Sequence, residues 1–214
     1  VQGVCVYVLS DNWMPKTTIK QLPTLVAGPI LRHVSSTQLT FWLVTSTECE
    51  LSLSVFQHQD VIFSQTLKSE QHQIVEIGEH AYIHLVNIDS EVTFATEQVY
   101  QYEFTFSHQG RSEKLSEIAP TLLYDAQQYC SFTVPDKIER LLHGSCRKPH
   151  FDGGDGLTQV DTVIEQTLDV PTERPSLLMM SGDQVYADDV AGPMLLAIHQ
   201  VIDLLGLYGE SWQG

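Results

Sequence analysis

Two short stretches of the chain carry side chains whose types could do chemistry together. One is Gly144-Ser145-Cys146-Arg147-Lys148-Pro149-His150, and the other is Gly182-Asp183-Gln184-Val185-Tyr186-Ala187-Asp188-Asp189. Cys146, Asp183 and Tyr186 offer a thiolate, a carboxylate and a phenol. Such sulfur and oxygen donors suit a hard trivalent or a borderline divalent cation. Gly144 and Gly182 stand just before them, where a residue without a Cβ leaves the backbone free to turn and lets a metal approach closely.

The elements that must position these stretches read as strand, helix, strand, helix. Arg140–Gly144 is a brief apolar run ending in small residues, and Pro175–Gly182 is a second one. Between them, Leu157, Val160, Val163, Ile164 and Leu168 recur at helical spacing, which predicts a helix over Leu157–Leu168. A second helix is predicted over Asp188–Leu205, with Asp188 or Asp189 as its N-cap. This order implies parallel strands joined by a right-handed crossover, which sets Cys146 and Asp183 side by side beyond the carboxyl ends of the strands. Leu177–Met180 is apolar throughout, as expected of a parallel strand buried on both faces. Two strands and two helices bury too little surface for a stable layer, so more sheet is expected in the parent protein.

The preceding hundred residues have a different texture, with a hydrophobic period of two. Strands are predicted at Gln38–Thr45, Glu50–Phe56, Asp60–Thr66, Gln73–Ile77, Ala81–Ile88 and Val99–Ser107. Strands repeating without intervening helices indicate an antiparallel β-sandwich, immunoglobulin- or fibronectin-like. The chain is thus expected to divide into an N-terminal extension (1–23), a β-sandwich (24–132) and an incomplete α/β part (133–214), with Tyr129 and Cys130 in the strand linking the last two.

Composition narrows the possible partners. Eleven Lys and Arg face 27 Asp and Glu, a formal charge of −16. That field repels phosphate backbones and anionic headgroups, so neither nucleic-acid nor membrane-surface binding is expected. No apolar run approaches the roughly 20 residues a membrane-spanning helix needs. The start lacks the basic region of a secretory signal, and the first Met is Met14. Residues 1–13 are expected to be upstream read-through or a cloning remnant, and the compartment cytoplasmic. Cys5, Cys49, Cys130 and Cys146 show no Cys-x-x-Cys spacing; reduced thiols are expected, with a Cys49–Cys130 bridge as the alternative. His33, His58, His72, His80, His84 and His108 lack metal-ligand spacing and read as surface or titrating residues.

The two strand-end motifs resemble the first two motifs of the alkaline phosphatase D (PhoD-like) family of metallophosphoesterases. Upstream, Ala27-Gly28-Pro29-Ile30-Leu31-Arg32-His33-Val34 and the following Gln38–Val44 are similar to the opening of that family's N-terminal sandwich. The resemblance covers roughly residues 24–205. It implies that Cys146, Asp183 and Tyr186 hold one iron, and that Asp183 bridges to a second site taken by calcium or another divalent ion. It also implies hydrolysis of phosphate monoesters or diesters. In a two-metal mechanism the cations, about 3.5–4 Å apart, bring the pKa of a bound water near neutrality for in-line attack on phosphorus. Arg147 or Lys148 would neutralise charge developing on the phosphate, with Arg147 the better fork for two oxygens.

Metallophosphoesterases complete their sites with a later Gly-Asn-His-[Asp/Glu] and further histidines. Here both asparagines, Asn12 and Asn87, precede Asp183, and the only histidine after His150 is His199. The 214 residues alone are therefore expected to have negligible phosphatase activity. Simpler roles exist for each residue: Cys146 as a small core residue, Asp183 as a turn residue, Tyr186 as a packing aromatic. His150 and Asp152 read as loop residues, and Phe151–Gly156 matches neither a calcium loop nor a phosphate loop. The alternative function is a non-catalytic immunoglobulin-like binding module with a degenerate α/β extension. Substrate and oligomeric state are left open by the sequence.

Overall fold

The structure is a computed structural model that describes residues 22–125, 127–148, 153–184, 186 and 190–209. It is dominated by two antiparallel sheets facing each other across one core. The first has the order β1 (Leu25–Val34), β2 (Gln38–Thr45), β6 (Ala81–Asp89), β5 (His72–Gly78). The second runs β4 (Asp60–Thr66), β3 (Glu50–Gln57), β7 (Val99–His108), β8 (Arg111–Lys114), with β9 (Cys130–Thr133) also paired to β7.

Alternation places the core. Leu39, Phe41 and Leu43 of β2 face inward with Val86 and Ile88 of β6, and meet Leu51, Leu53 and Val55 of β3 and Tyr102, Phe104 and Phe106 of β7. Phe41 stands at the centre, with its ring 5.0 Å from Tyr102 and 5.1 Å edge-on from Phe104. Tilted and edge-to-face contacts of this kind add to the burial of the rings themselves. The six strands expected from alternation are all present, within one residue at each end. Tyr129, just before β9, stacks on Phe56 at 4.5 Å, so the strand at Cys130–Thr133 belongs to the second sheet.

A short helix α1 (Leu115–Ile118) and a 3-10 turn (Pro120–Leu122) lead to β9, and then to β10 (Leu141–Gly144), α2 (Gly156–Gln166), β11 (Leu177–Met180) and α3 (Gly192–Leu205). Strands β10 and β11 are parallel, paired from Leu141↔Leu177 to Gly144↔Met180, as the strand–helix–strand order requires. Burial differs from expectation here. Leu178 and Met179 are 44% and 46% exposed, because no further strand covers this two-stranded sheet among the described residues.

The start of α3 also differs. Asp188 and Asp189 lie outside the described residues, and the helix begins at Gly192 with Ala191 at its N-cap and no side-chain cap. Pro193 in the first turn supplies the start signal instead, since its missing N–H would be unpaired there in any case. Hydrogen bonds tie this part to the rest of the chain, and the Leu205–Tyr208 segment also bonds to the β5–β6 hairpin. Arg174 donates to the Ser131 carbonyl at 2.9 Å and hydroxyl at 3.0 Å, and the Tyr124 hydroxyl donates to the Asp161 carboxylate at 2.6 Å. No helix among the described residues is long and apolar enough to cross a membrane. Cys49, Cys130 and Cys146 are free thiols.

Candidate metal centre

The carboxyl ends of β10 and β11 lie side by side, and the loops that follow them are laced by backbone hydrogen bonds. Ser181 N–H donates to Gly144 O at 3.0 Å, Cys146 N–H to Asp183 O at 2.9 Å, and Tyr186 N–H to Arg147 O at 3.1 Å. The three candidate ligands therefore come from one laced tip.

The two glycines act differently from one another. Gly182 adopts φ +71°, a conformation that favours glycine, and a Cβ there would stand 2.6 Å from Ser145 Oγ, so the Ser145 hydroxyl would have to turn away. Gly144 has no positive φ; its role is close packing, since a Cβ would meet Met180 Sδ at 2.9 Å. The left-handed turn after β10 is taken by Cys146 itself, at φ +57°. A non-glycine residue held there stores local strain, a feature that concentrates at functional sites.

The Cys146 thiol is exposed and lies 3.2 Å from Ser145 Oγ. Hydrogen bonds from Ser145 and then Tyr186 favour the thiolate and pull its pKa below the usual thiol value, with the Asp183 backbone adding to this and the Asp183 carboxylate opposing it. Tyr186 is thus within hydrogen-bonding range of the Cys146 thiol, and the Asp183 carboxylate is near enough to oppose its ionisation. Their donor set, one sulfur and two kinds of oxygen with the thiol already biased toward its anion, fits a cation of intermediate hardness. No group of three His, Cys, Asp or Glu side chains placed to hold a metal occurs among the described residues. The third donor here is a phenol, and His150, Asp152 and Ala187–Asp189 are outside the described residues.

Arg147 has a partner that its place in the motif did not announce. Its guanidinium is turned to Asp155, with Nη2 to Oδ2 at 2.6 Å and Nε to Oδ2 at 3.1 Å. The pairing raises the Arg147 pKa and holds the Asp155 carboxyl below its ordinary value. Asp155 also accepts from Leu157 N–H at 3.1 Å as the N-cap of α2. Sequence reasoning passed over Asp155 inside a loop. The signal was there, since an Asp directly before a helical apolar repeat is an N-cap pattern. Arg147 and Asp155 line a cavity of about 320 Å³ together with His143, Cys146, Lys148 and Met180.

A second polar cluster was also missed, within the sandwich. His84 is fully buried, contrary to the surface reading of the histidines, and is hydrogen-bonded through both ring nitrogens to Thr45 and His72. Its place in the alternation of β6, in phase with Val86 and Ile88, marks it as inward-facing.

Comparison with known proteins adds one match. A family model described as a domain of unknown function, DUF7800, matches residues 22–108. That span runs from just before β1 to the end of β7. No curated protein matches the chain. Over residues 22–108, and so over most of the two facing sheets, the chain is similar to the DUF7800 family.

Proposed function

We propose that this chain is the N-terminal part of a metal-dependent phosphoric ester hydrolase of the alkaline phosphatase D type. On this reading an immunoglobulin- or fibronectin-like sandwich precedes the first strand–helix–strand–helix of a metallophosphoesterase domain. Cys146, Asp183 and Tyr186 hold one iron, and Asp183 is shared with calcium or another divalent ion. The observation that carries the reading is the convergence of a thiol, a carboxylate and a phenol at one sheet tip, with Cys146 in a left-handed backbone conformation.

When bound, such a metal pair supplies Lewis acidity toward the phosphoryl group and a water acidic enough to ionise near neutral pH. The chain's own residues do the rest. The laced loops hold the three donors in register, and the Ser145 and Tyr186 hydrogen bonds lower the pKa of the thiol. Arg147 lines the cavity, held by Asp155, and its planar fork can take phosphoryl oxygens in exchange for that carboxylate. The substrate is a phosphate ester with no extended polyanionic backbone, in keeping with a charge of −16. With no Gly-Asn-His-[Asp/Glu] in the sequence, the 214 residues alone hydrolyse an aryl phosphate negligibly.

The test is metal content. Purified chain equilibrated with ferric or ferrous iron and calcium, then desalted, should retain iron. Cys146→Ala and Asp183→Ala should each weaken retention by about tenfold or more. Equal retention by all three proteins, or by none, overturns the reading. The second reading, a binding module, is favoured by one observation, the confinement of the family match to residues 22–108 within the sandwich. It gains if no iron is retained.

A further inference from the structure

We propose that His72, His84 and Thr45 form an acid-sensitive latch that ties edge strand β5, through β6, to β2 and so steadies the segment following α3 that is bonded to the far end of β5. The three side chains run across the first sheet on its inward face and are distant in kind from the metal site.

Hydrogen counting sets the direction of the chain. The Thr45 hydroxyl donates to the Thr47 carbonyl at 2.6 Å. A hydroxyl has one proton, so toward His84 Nε2, 2.7 Å away, it only accepts. His84 therefore carries its proton on Nε2, which leaves Nδ1 as an acceptor. His72 Nε2 lies 2.6 Å from that Nδ1 and must donate to it. Both rings are thus Nε2–H tautomers, stacked with centroids 4.8 Å apart, and the chain runs one way from His72 to the Thr47 carbonyl. His72 Nδ1 is the acceptor at the outer end.

A proton added to His72 Nδ1 leaves every hydrogen bond in place. A proton added to His84 can go only on Nδ1, where it would face the His72 N–H donor to donor. His84 is 0% exposed, and the influences on its ring are burial and then His72. From the neighbouring turn, Cys49 donates to the same Thr47 carbonyl at 3.1 Å, and that thiol in turn feels Glu113 and Glu48. None of these provides His84 with a counter-charge. Burial and His72 push the His84 pKa from 6.5 to about 4, and burial lowers that of His72 as well. The folded state therefore prefers neutral His84. The stability it contributes is complete above the unfolded pKa near 6.5 and declines as pH falls toward 4. A shift of this size corresponds to roughly two orders of magnitude in the folding equilibrium.

The mechanical consequence follows from topology. Among the described residues β5 is an edge strand that pairs with β6 along its length. The hairpin tip carries Glu79 N–H to Gly206 O at 3.1 Å and His80 N–H to Leu205 O at 2.9 Å, and Tyr208 N–H reaches Ile77 O at 3.0 Å. When the latch opens, edge strand β5 loses its side-chain tie to β6 and β2, while β6 stays paired to β2 from Gln38 to Thr45, and the Leu205–Tyr208 segment bonded to the end of β5 loosens with it.

The experiment follows ring nitrogens and amide exchange in the isotopically labelled full chain from pH 7.5 to 4. Expected are Nε2–H tautomers for both rings at pH 7.5, with His84 neutral down to about pH 5. Protection of the amides paired between β5 and β6 and of Gly206–Tyr208 should then fall together with His84 protonation, while the β2–β6 ladder, β3 and β7 stay protected. His72→Phe, at a partly exposed position, keeps a stacked ring and frees His84 Nδ1. It should raise the pH of both events by about one unit, a tenfold change in proton affinity. An Nδ1–H tautomer at His84, titration of His84 at or above pH 6, hairpin protection that persists through His84 protonation, or an unchanged transition in His72→Phe would each overturn the latch.

Discussion

The amide of Cys146 donates to the carbonyl oxygen of Asp183 at 2.9 Å, joining two candidate ligands through the backbone rather than through side chains. Their backbone spacing is thus set by the fold of the tip itself. Changes to the side chains should alter what the tip binds without dismantling it, whereas changes to the backbone of the tip should do the reverse.

Gly182→Ala tests the second half of that statement. With φ at +71° and Ser145 Oγ 2.6 Å from the new Cβ, the substitution should cost about 1–3 kcal/mol locally. Metal retention and Cys146 reactivity should change, while the near-ultraviolet circular dichroism of the sandwich stays as in the wild type. A wild-type thiol in Gly182→Ala would show that the tip does not depend on this turn.

Cys146 should be the most readily alkylated of the three described thiols in metal-free protein. Its pKa is lowered by Ser145 and Tyr186, so its thiolate forms at lower pH, whereas burial raises the pKa of both Cys49 and Cys130. Iodoacetamide rates against pH should show an inflection for Cys146 below that of the other two. Ser145→Ala and Tyr186→Phe should each move it upward, and an unmoved inflection would remove those hydrogen bonds from the account.

Asp155 has two jobs that substitution can separate. Asp155→Asn keeps an acceptor for Leu157 N–H but loses the charge that pairs with Arg147, and Asp155→Ala loses both. Thermal melts should place Asn between wild type and Ala, because an N-cap retains most of its value with a neutral oxygen. Equal melting of Asn and Ala variants would show that the cap contributes nothing.

The core and the exposed helix should respond very differently to truncation. Phe41→Ala removes a fully buried ring at the meeting point of the two sheets and should cost about 3–5 kcal/mol in urea unfolding. Met194→Ser on α3, at a position 48% exposed, should change stability by less than about 0.5 kcal/mol.

The legible parts of this fold were those governed by simple periods. Leu39, Phe41 and Leu43, or Leu51, Leu53 and Val55, announce a strand and its buried face together, because a period of two allows only one inward set. The parallel pairing of Leu141–Gly144 with Leu177–Met180 followed from element order alone. What stayed hidden depended on partners remote in sequence. His84 looks like any polar residue until β2 and β5 bring Thr45 and His72 to its two nitrogens. Arg147 could be assigned a charge but not a direction, since its orientation is set by Asp155 across a loop. Leu178 and Met179 read as buried because apolar runs usually are, yet exposure depends on neighbours that no local pattern encodes.

The contact between Tyr208 N–H and Ile77 O, with the bridge between Gly78 and Leu207, also has a protective consequence. It covers the Ile77–Gly78 end of edge strand β5, where bare amides and carbonyls would otherwise extend the template on which another chain could add itself. A chain cut after α3 should for that reason self-associate through Ile74–Ile77 at concentrations where the uncut chain does not.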